Sequence, residues 1–276
     1  MTGTGDTYIF GDIHGGYRGL MELLGKLRDE VQAGDKLIFL GDYVDGWSQS
    51  PEVLDTLIAL ESKTLEHWTE NAISETTKRN IAILRYYLTL MDLQVILLRG
   101  NHDDLLLNYL KDNTAHPKWV AHGGQSSIDA YAKVDAQRRE RHMEFLSGLR
   151  THYVTSELAC FHAGFTNVKG HEHEWFHKMF YWDRSLWETA LALDPTLEKD
   201  DKRYPKRLKL YPEIYIGHTP TIRLDSTEPI NAACVWNLDT GAAFYGPLTA
   251  MRVRDKRYWQ STPVRELYPD EPGRME

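Results

Sequence analysis

The sequence predicts an α/β fold with a functional edge at the carboxyl ends of its strands, and three observations carry the prediction. Five short apolar runs read as buried strands: Tyr8-Ile9-Phe10, Leu37-Ile38-Phe39-Leu40, Val95-Ile96-Leu97-Leu98, Ala159-Cys160-Phe161 and Ile214-Tyr215-Ile216. Each leads within a few residues into Asp, His or Asn beside glycine: Gly11-Asp12-Ile13-His14-Gly15, Gly41-Asp42-Tyr43-Val44-Asp45, Gly100-Asn101-His102-Asp103, His162-Ala163-Gly164 and Gly217-His218-Thr219. Between the first three runs the apolar period changes from strand to helix. In open α/β sheets this edge is where ligands bind.

The elements follow in order. After the first strand, Tyr17 to Glu30 reads as a helix with Leu20, Leu23, Leu24 and Leu27 on one face. Gly34-Asp35 turns the chain into the second strand. Pro51 suits the start of the next helix, which carries Val53, Leu54, Leu57, Ile58 and Leu60. Residues 62–92 are more than a strand-to-strand crossover needs. Ile81, Leu84, Leu88 and Met91 recur there at helical spacing, so a helical insertion is expected, serving as a packing element, a dimer contact or a wall of the cleft. From Tyr258 to Glu276 three prolines among dispersed charges predict a tail lying on the surface or partly frayed. The motif blocks spread from Gly11 to Thr219, so residues 1–276 read as a single domain.

The residue types define a chemistry. Asp12, His14, Asp42, Asn101, His162 and His218 offer carboxylate, imidazole and amide oxygen. That donor set suits manganese, iron or zinc, and without thiolate it does not look like a structural zinc site. Six protein donors are too many for one catalytic ion with an open position, and about right for two divalent ions sharing Asp42. Paired ions roughly 3.5–4 Å apart clamp the attacking and leaving oxygens of a displacement at phosphorus, and lower the pKa of bound water towards about 7. His102 and Asp45 are left over, and a histidine oriented by a carboxylate is a good acid for an alkoxide leaving group. Gly, Asp and Asn are also ordinary turn residues. Five such turns after five strands of one chain are better explained by a shared metal site.

The blocks GDIHGG, GDYVDG, LLRGNHD, HAG and GHTP resemble the calcineurin-like metallophosphoesterases, in family order. Within them they are similar to the phosphoprotein phosphatase branch of Ser/Thr protein phosphatases, phage-type phosphatases and symmetrical diadenosine tetraphosphatases. Asn237-Leu238-Asp239-Thr240-Gly241 extends the match over most of the chain. The resemblance implies a four-layer α/β/β/α metallophosphoesterase sandwich. It implies Asp12 and His14 on one metal, Asn101, His162 and His218 on the other, Asp42 bridging, His102 as proton donor and Asp45 as its partner. Tyr181-Trp182-Asp183-Arg184 resembles a Trp-x-Arg segment of the phage-type enzymes, which makes Arg184 the phosphate-binding residue. Trp119-Val120-Ala121-His122-Gly123-Gly124 resembles a substrate-side segment of the same relatives, with His122 in place of asparagine as either a structural histidine or a substrate contact.

Two departures from the pattern matter. Asp103 stands where protein phosphatases carry glutamate. Gly46 and Trp47 follow Asp45, where those enzymes continue with arginine and glycine, so one cationic clamp is absent unless Arg18, Arg99, Arg223 or another residue reaches in. Room at Gly46, with Trp47 free to stack, predicts broad specificity that includes aryl phosphates and phosphotyrosine.

Composition bounds the rest. Hydrophobic content of 42% and charged content of 26% are ordinary for a globular chain. A net charge of −8 argues against nucleic acid and acidic membranes as partners. The basic run Lys202 to Lys209 is preceded by Glu198, Asp200 and Asp201, and reads as a solvated segment or a collar for anionic substrate. His171, Glu172, His173, Glu174 and His177 read as loop residues rather than a third metal cluster. Cys160 and Cys234 read as buried free thiols. With no apolar run approaching a membrane span, the expected location is cytoplasmic. The expected activity is a metal-dependent phosphomonoesterase, probed best with manganese. It would act on phosphoprotein or small-molecule phosphoesters by in-line attack of a metal-bound hydroxide. A symmetrical dinucleoside polyphosphate hydrolase uses the same site with loops enlarged for adenosine. A non-catalytic metal-binding scaffold predicts lost donors, and none is lost.

Overall fold

The computed structural model describes residues 5–65 and 74–274. In chain order its strands are β1 (Thr7–Phe10), β2 (Lys36–Phe39), β3 (Gln94–Leu97), β4 (His152–Val154), β5 (Leu158–Phe161), β6 (Glu213–Ile216), β7 (Ile230–Ala232), β8 (Val235–Asn237), β9 (Thr249–Arg252) and β10 (Tyr258–Gln260). They form two mixed sheets, ordered β10-β9-β1-β2-β3 and β4-β5-β6-β8-β7. In the first, β1, β2 and β3 are parallel, with Ile9 opposite Ile38 and Ile38 opposite Ile96. In the second, β5, β6 and β8 are parallel between antiparallel edges. All the parallel strands therefore deliver their carboxyl ends to one side of their sheet.

The apolar runs show no polar alternation because both faces of each sheet are covered. Successive side chains divide between three cores. Ile9, Ile38, Leu40 and Ile96 from the first sheet meet Leu158, Cys160 and Tyr215 from the second, forming the layer between the sheets. Tyr8, Phe10, Leu37 and Phe39 point the other way, into a helical layer. Phe161, Ile214 and Ile216 point into the outer layer of the second sheet. Helix, sheet, sheet and helix are the four layers the sequence predicts.

The helices are α1 (Tyr17–Leu27), α2 (Ser50–Ser62), α3 (Glu75–Thr89), α4 (Asn101–Asp112), α5 (Pro117–Trp119), α6 (Gln125–Tyr131), α7 (Ala136–Gly148), α8 (Met179–Trp182), α9 (Ser185–Leu191) and α10 (Val264–Leu267). Helix α1 stops before the expected Glu30. The Leu27 carbonyl accepts from both Glu30 and Val31, which turns Val31 into the core. Helix α3 fills much of the expected insertion, and residues 66–73 lie outside the described residues. Its buried stripe is Asn80, Ile83, Leu84 and Tyr87 rather than the Ile81, Leu84, Leu88 and Met91 face, and Met91 is exposed. Polar anchors set this rotation: Asn80 donates to the Tyr17 hydroxyl at 2.9 Å, and the Tyr87 hydroxyl donates to the Leu24 carbonyl at 2.7 Å.

The carboxy-terminal expectation is corrected. The stretch from Tyr258 is not a frayed tail: β10 pairs with β9, Pro263 opens α10, and Val264 and Tyr268 are buried. Its prolines separate short elements that are each anchored by an aromatic or aliphatic side chain. Cys160 and Cys234 are buried and unpaired. Among the described residues no helix is long and apolar enough to cross a membrane.

Candidate metal centre and active site

Six side chains from five strand ends converge where the two sheets meet. Asp12 follows β1, Asp42 follows β2, and Asn101 opens α4 after β3; His162 follows β5 and His218 follows β6. His14 completes the turn after Asp12. Two three-residue groups have donor atoms within 4.8 Å of one another: Asp12, His14 and Asp42, and Asp42, His162 and His218. Asp42 is common to both. His162 Nε2 lies 3.3 Å from Asp42 Oδ2 and 3.2 Å from Asn101 Oδ1, and His14 Nε2 lies 3.6 Å from Asp42 Oδ2.

The backbone is bent to make this possible. His14, Asp42, Asp45 and His218 all have positive φ, at 52°, 53°, 73° and 69°. Such conformations cost non-glycine residues about 1–3 kcal/mol each and collect at functional sites. Two glycines permit the close approach: a Cβ on Gly100 would sit 2.0 Å from Asp42 Oδ1, and one on Gly217 would sit 2.0 Å from Asp12 Oδ1. Asp103 holds the turn together, its carboxylate accepting from the backbone nitrogens of Asp42, Tyr43 and Gly100 at 2.9, 2.9 and 2.8 Å. That is a structural task, which explains an acid at this position without a role in chemistry.

The donors are arranged for cations. His14 Nδ1 and His162 Nδ1 face the Val44 and Leu40 carbonyls at 3.2 and 3.0 Å, which fixes the proton there and leaves each Nε2 free to bind metal. His218 Nε2 is buried with no hydrogen-bond partner. Burial pushes Asp12 well above the ordinary carboxylate range, with the charges of Asp239 and Asp42 adding to it. Burial pushes His14 and His218 well below the usual histidine value. Against its burial, Asp42 is held well below the ordinary carboxylate range by His162, His102 and His14. Asp12, reluctant to ionise, beside His14 and His218, reluctant to take protons, is a poor fit to solvent and a good fit to divalent cations.

Beside these donors, His102 Nδ1 lies 2.6 Å from Asp45 Oδ2, and both residues are buried. Trp119, itself buried, donates its indole N–H to the same Asp45 oxygen at 2.5 Å. Trp119 was legible only as part of a motif, not as the group that fixes Asp45.

Three guanidinium groups border the pocket formed by Asp42, Asn101, His102 and His218: Arg184, Arg223 and Arg274. Arg184 donates to Thr219 Oγ1 at 2.8 Å, while Arg223 is exposed on the turn Thr221–Leu224. The two other cations considered for the rim point elsewhere. Arg18 bonds the Leu267 carbonyl, and Arg99 bonds the Leu146 and Ser147 carbonyls. The pocket opens into a cleft of about 450 Å³ walled by Leu105, His116, Lys118, Trp119, His122 and Trp182. His122 is exposed on that wall, so its structural alternative falls away. Trp47, in contrast, is fully buried against Tyr268, with ring centroids 5.3 Å apart, and is not available to stack on substrate. The His171–His177 loop is internally satisfied: Glu174 accepts from Thr166 and Asn167, and His171 Nδ1 meets the Tyr211 hydroxyl at 2.6 Å. Arg207 in the basic run bonds the Phe165 carbonyl and Ser185, a structural use of that charge.

This fold and this clustering define a metal-dependent phosphoester hydrolase. The calcineurin-like phosphoesterase family matches residues 6–229, and the chain belongs to it. It is 26% identical over 263 residues to an asymmetrical bis(5'-nucleosyl)-tetraphosphatase of Geobacillus thermodenitrificans, covering 88% of this chain and 89% of that protein. A solved structure described as a candidate diadenosine tetraphosphatase superposes with a TM-score of 0.55 at 18% identity, over 94% of each chain. The cold-active protein-tyrosine phosphatase of a psychrophilic Shewanella species superposes with a TM-score of 0.51 at 14% identity, over 94% of this chain and 81% of that one. Members of the family hold two metal ions, for which the two donor groups described above are candidates.

Proposed function

We propose that the chain hydrolyses dinucleoside polyphosphates at a dinuclear centre held by Asp12, His14, Asp42, Asn101, His162 and His218. The observation that carries this reading is the excess of cations over one phosphate. Arg184, Arg223 and Arg274 border the metal pocket, more positive charge than a single phosphoryl dianion requires, and the adjoining cleft is in the size range of a small-molecule site. The kinship with an asymmetrical tetraphosphatase supports the same substrate class and favours a cut off centre in the phosphate chain over one at the symmetrical position.

Two divalent ions, with manganese the first choice and iron or zinc the others, would supply an activated water and neutralise developing charge on the phosphoryl oxygens. The chain's own residues do the remaining work. Arg184 grips phosphoryl oxygens through its planar fork. His102 donates a proton to the leaving oxygen. Asp45 and Trp119 hold its ring so that the far nitrogen faces the reaction. Trp182, 40% exposed on the cleft wall, offers a stacking face for a base.

The second reading is a phosphomonoesterase acting on phosphoprotein. It keeps the same chemistry and is favoured by the fold shared with the protein-tyrosine phosphatase. Incubation of manganese-loaded protein with diadenosine tetraphosphate, an aryl phosphate and phosphopeptides separates the two. ATP plus AMP as the main products, formed faster than phosphate from the other substrates, supports the proposal. Two ADP would restore the symmetrical cut, and faster phosphopeptide turnover would replace the proposal with the second reading.

A further inference from the structure

The loss of arginine at position 46 and the anchoring of the carboxy-terminal segment are two halves of one arrangement. Gly46 has φ of +88°, and a Cβ built there would lie 3.6 Å from Arg274 Cγ. The side chain of Arg274 thus occupies the space that a side chain at 46 would enter. A Cβ on Gly123 would come within 2.8 Å of the same Cγ, so a second glycine keeps the path open. Trp47 docks the segment that carries this arginine. Its ring stacks on Tyr268 and fits against Gly273 so closely that a Cβ there would be 2.6 Å from the indole, while its N–H donates to the Ala242 carbonyl at 2.7 Å. Glu271 accepts from the Ser48 nitrogen and hydroxyl at 2.9 and 2.6 Å, and the Arg274 nitrogen donates to the Ala243 carbonyl at 2.9 Å. The Gly46–Ser48 turn and the chain end are therefore tied at four points.

The arginine so delivered acts on buried Asp239 only through space. Arg274 lines the pocket with Asp42, Asn101, His102, Arg184 and His218, its guanidinium rests 5.1 Å over the Phe244 ring, and its Nε is shielded from solvent without a hydrogen-bond partner. Among the described residues no acid forms an ion pair with it.

We propose that Arg274 is a phosphate-binding residue of this site, carried in by a carboxy-terminal strap that Trp47 and Ser48 hold in place. The strap restores from the chain end the cationic clamp that Gly46 lacks. The proposal needs only a phosphoryl group in the pocket and is independent of which phosphoester supplies it.

Calorimetric titration of inorganic phosphate into the manganese-loaded protein tests it, with melting temperature as the check on folding. Arg274→Ala should weaken phosphate binding by about ten- to a hundredfold, the loss of one charge-assisted hydrogen bond. Arg274→Lys should recover part of it, since a point charge keeps the attraction and loses the fork. A chain ending at Gly273, with every tie except that of Arg274 intact, should behave as Arg274→Ala does and covers the case in which the alanine variant misfolds. Glu271→Gln should weaken phosphate binding less and in the same direction. Phosphate affinity within about twofold of the parent in either Arg274→Ala or the truncated chain, beside a clear loss in Arg184→Ala, would overturn the proposal.

Discussion

The candidate metal cradle and the cationic rim line one pocket and are built on opposite principles. The cradle is made of strand ends. Its donors are buried, His14, Asp42 and His218 have left-handed backbone, and parallel pairing of β1, β2 and β3 in one sheet and of β5 and β6 in the other fixes their spacing. The rim is made of whatever reaches the opening: a residue after α8, a short turn after His218, and a strap from the far end of the chain. What must be exact in position sits on the sheets, and what must only supply charge to a flexible phosphate chain hangs from loops. The comparison predicts that damage to the cradle abolishes the reaction and damage to the rim weakens it.

The largest effect should come from Asp42, the residue common to both donor groups. Asp42→Ala should reduce bound metal from two ions towards none, and exhaustive chelation of the parent should likewise abolish turnover, with manganese restoring it. Two tightly held ions in Asp42→Ala, measured by elemental analysis, would break the picture of a shared bridge.

Next comes His102, which belongs to neither region. His102→Asn should lower turnover by about a hundred- to ten-thousandfold, the usual range for a lost general acid, with two metals still bound. The penalty should be largest for an alkyl phosphate ester, whose alkoxide must take a proton to leave, and should shrink for a nitrophenyl ester or a dinucleoside polyphosphate, whose leaving groups are weak bases. Loss of a metal ion in this variant would move His102 into the cradle.

Arg184→Ala and Arg223→Ala sharpen the rim side. A charge-assisted hydrogen bond is worth about 1.5–3 kcal/mol, so Arg184→Ala should raise KM by about ten- to a hundredfold. Arg223 is exposed and solvent screens it, so its loss should cost less and its effect should fade with added salt. Equal effects, or a salt-independent loss at Arg223, would mean that the rim closes over substrate and buries both.

The same contrast explains what the sequence revealed. Asp12, His14, Asp42, Asn101, His162 and His218 stand immediately after apolar runs, where a strand end and its donor are neighbours in sequence. Local order was enough to single them out as candidates, and the buried layers followed from runs with no polar alternation. Rotation of α3 was beyond reach because Asn80 and Tyr87 set it through partners on α1, some 63 residues away in each case. Arg274 was beyond reach for a stronger reason. Three prolines and scattered charges describe a tail, and the contacts of Trp47 and Ser48 with Tyr268, Gly273 and Glu271 turn that end back over the site. The available signal is the pairing of glycine at 46 with tryptophan at 47, which in sequence means open space and in the fold marks an anchor.

The smallest effect falls on Trp119, where cradle and rim meet. Its indole N–H and His102 Nδ1 share one oxygen of Asp45, and the other oxygen is buried with no hydrogen-bond partner. Trp119→Phe keeps most of the apolar contact with Tyr109 and removes only the donor. The lost bond is worth about 1.5–3 kcal/mol in place, but only the share that differs between the ground and transition states reaches kcat. A fall of less than about tenfold in kcat is expected, with KM and metal content unchanged. Because the tryptophan acts through His102, the deficit should shrink with the nitrophenyl ester, as is expected for His102→Asn. Combining Trp119→Phe with His102→Asn should then add nothing to the loss of His102 alone, since residues acting through one group are not additive. A rise in KM instead, with kcat intact, would make Trp119 a wall of the cleft and leave Asp45 to orient the histidine unaided.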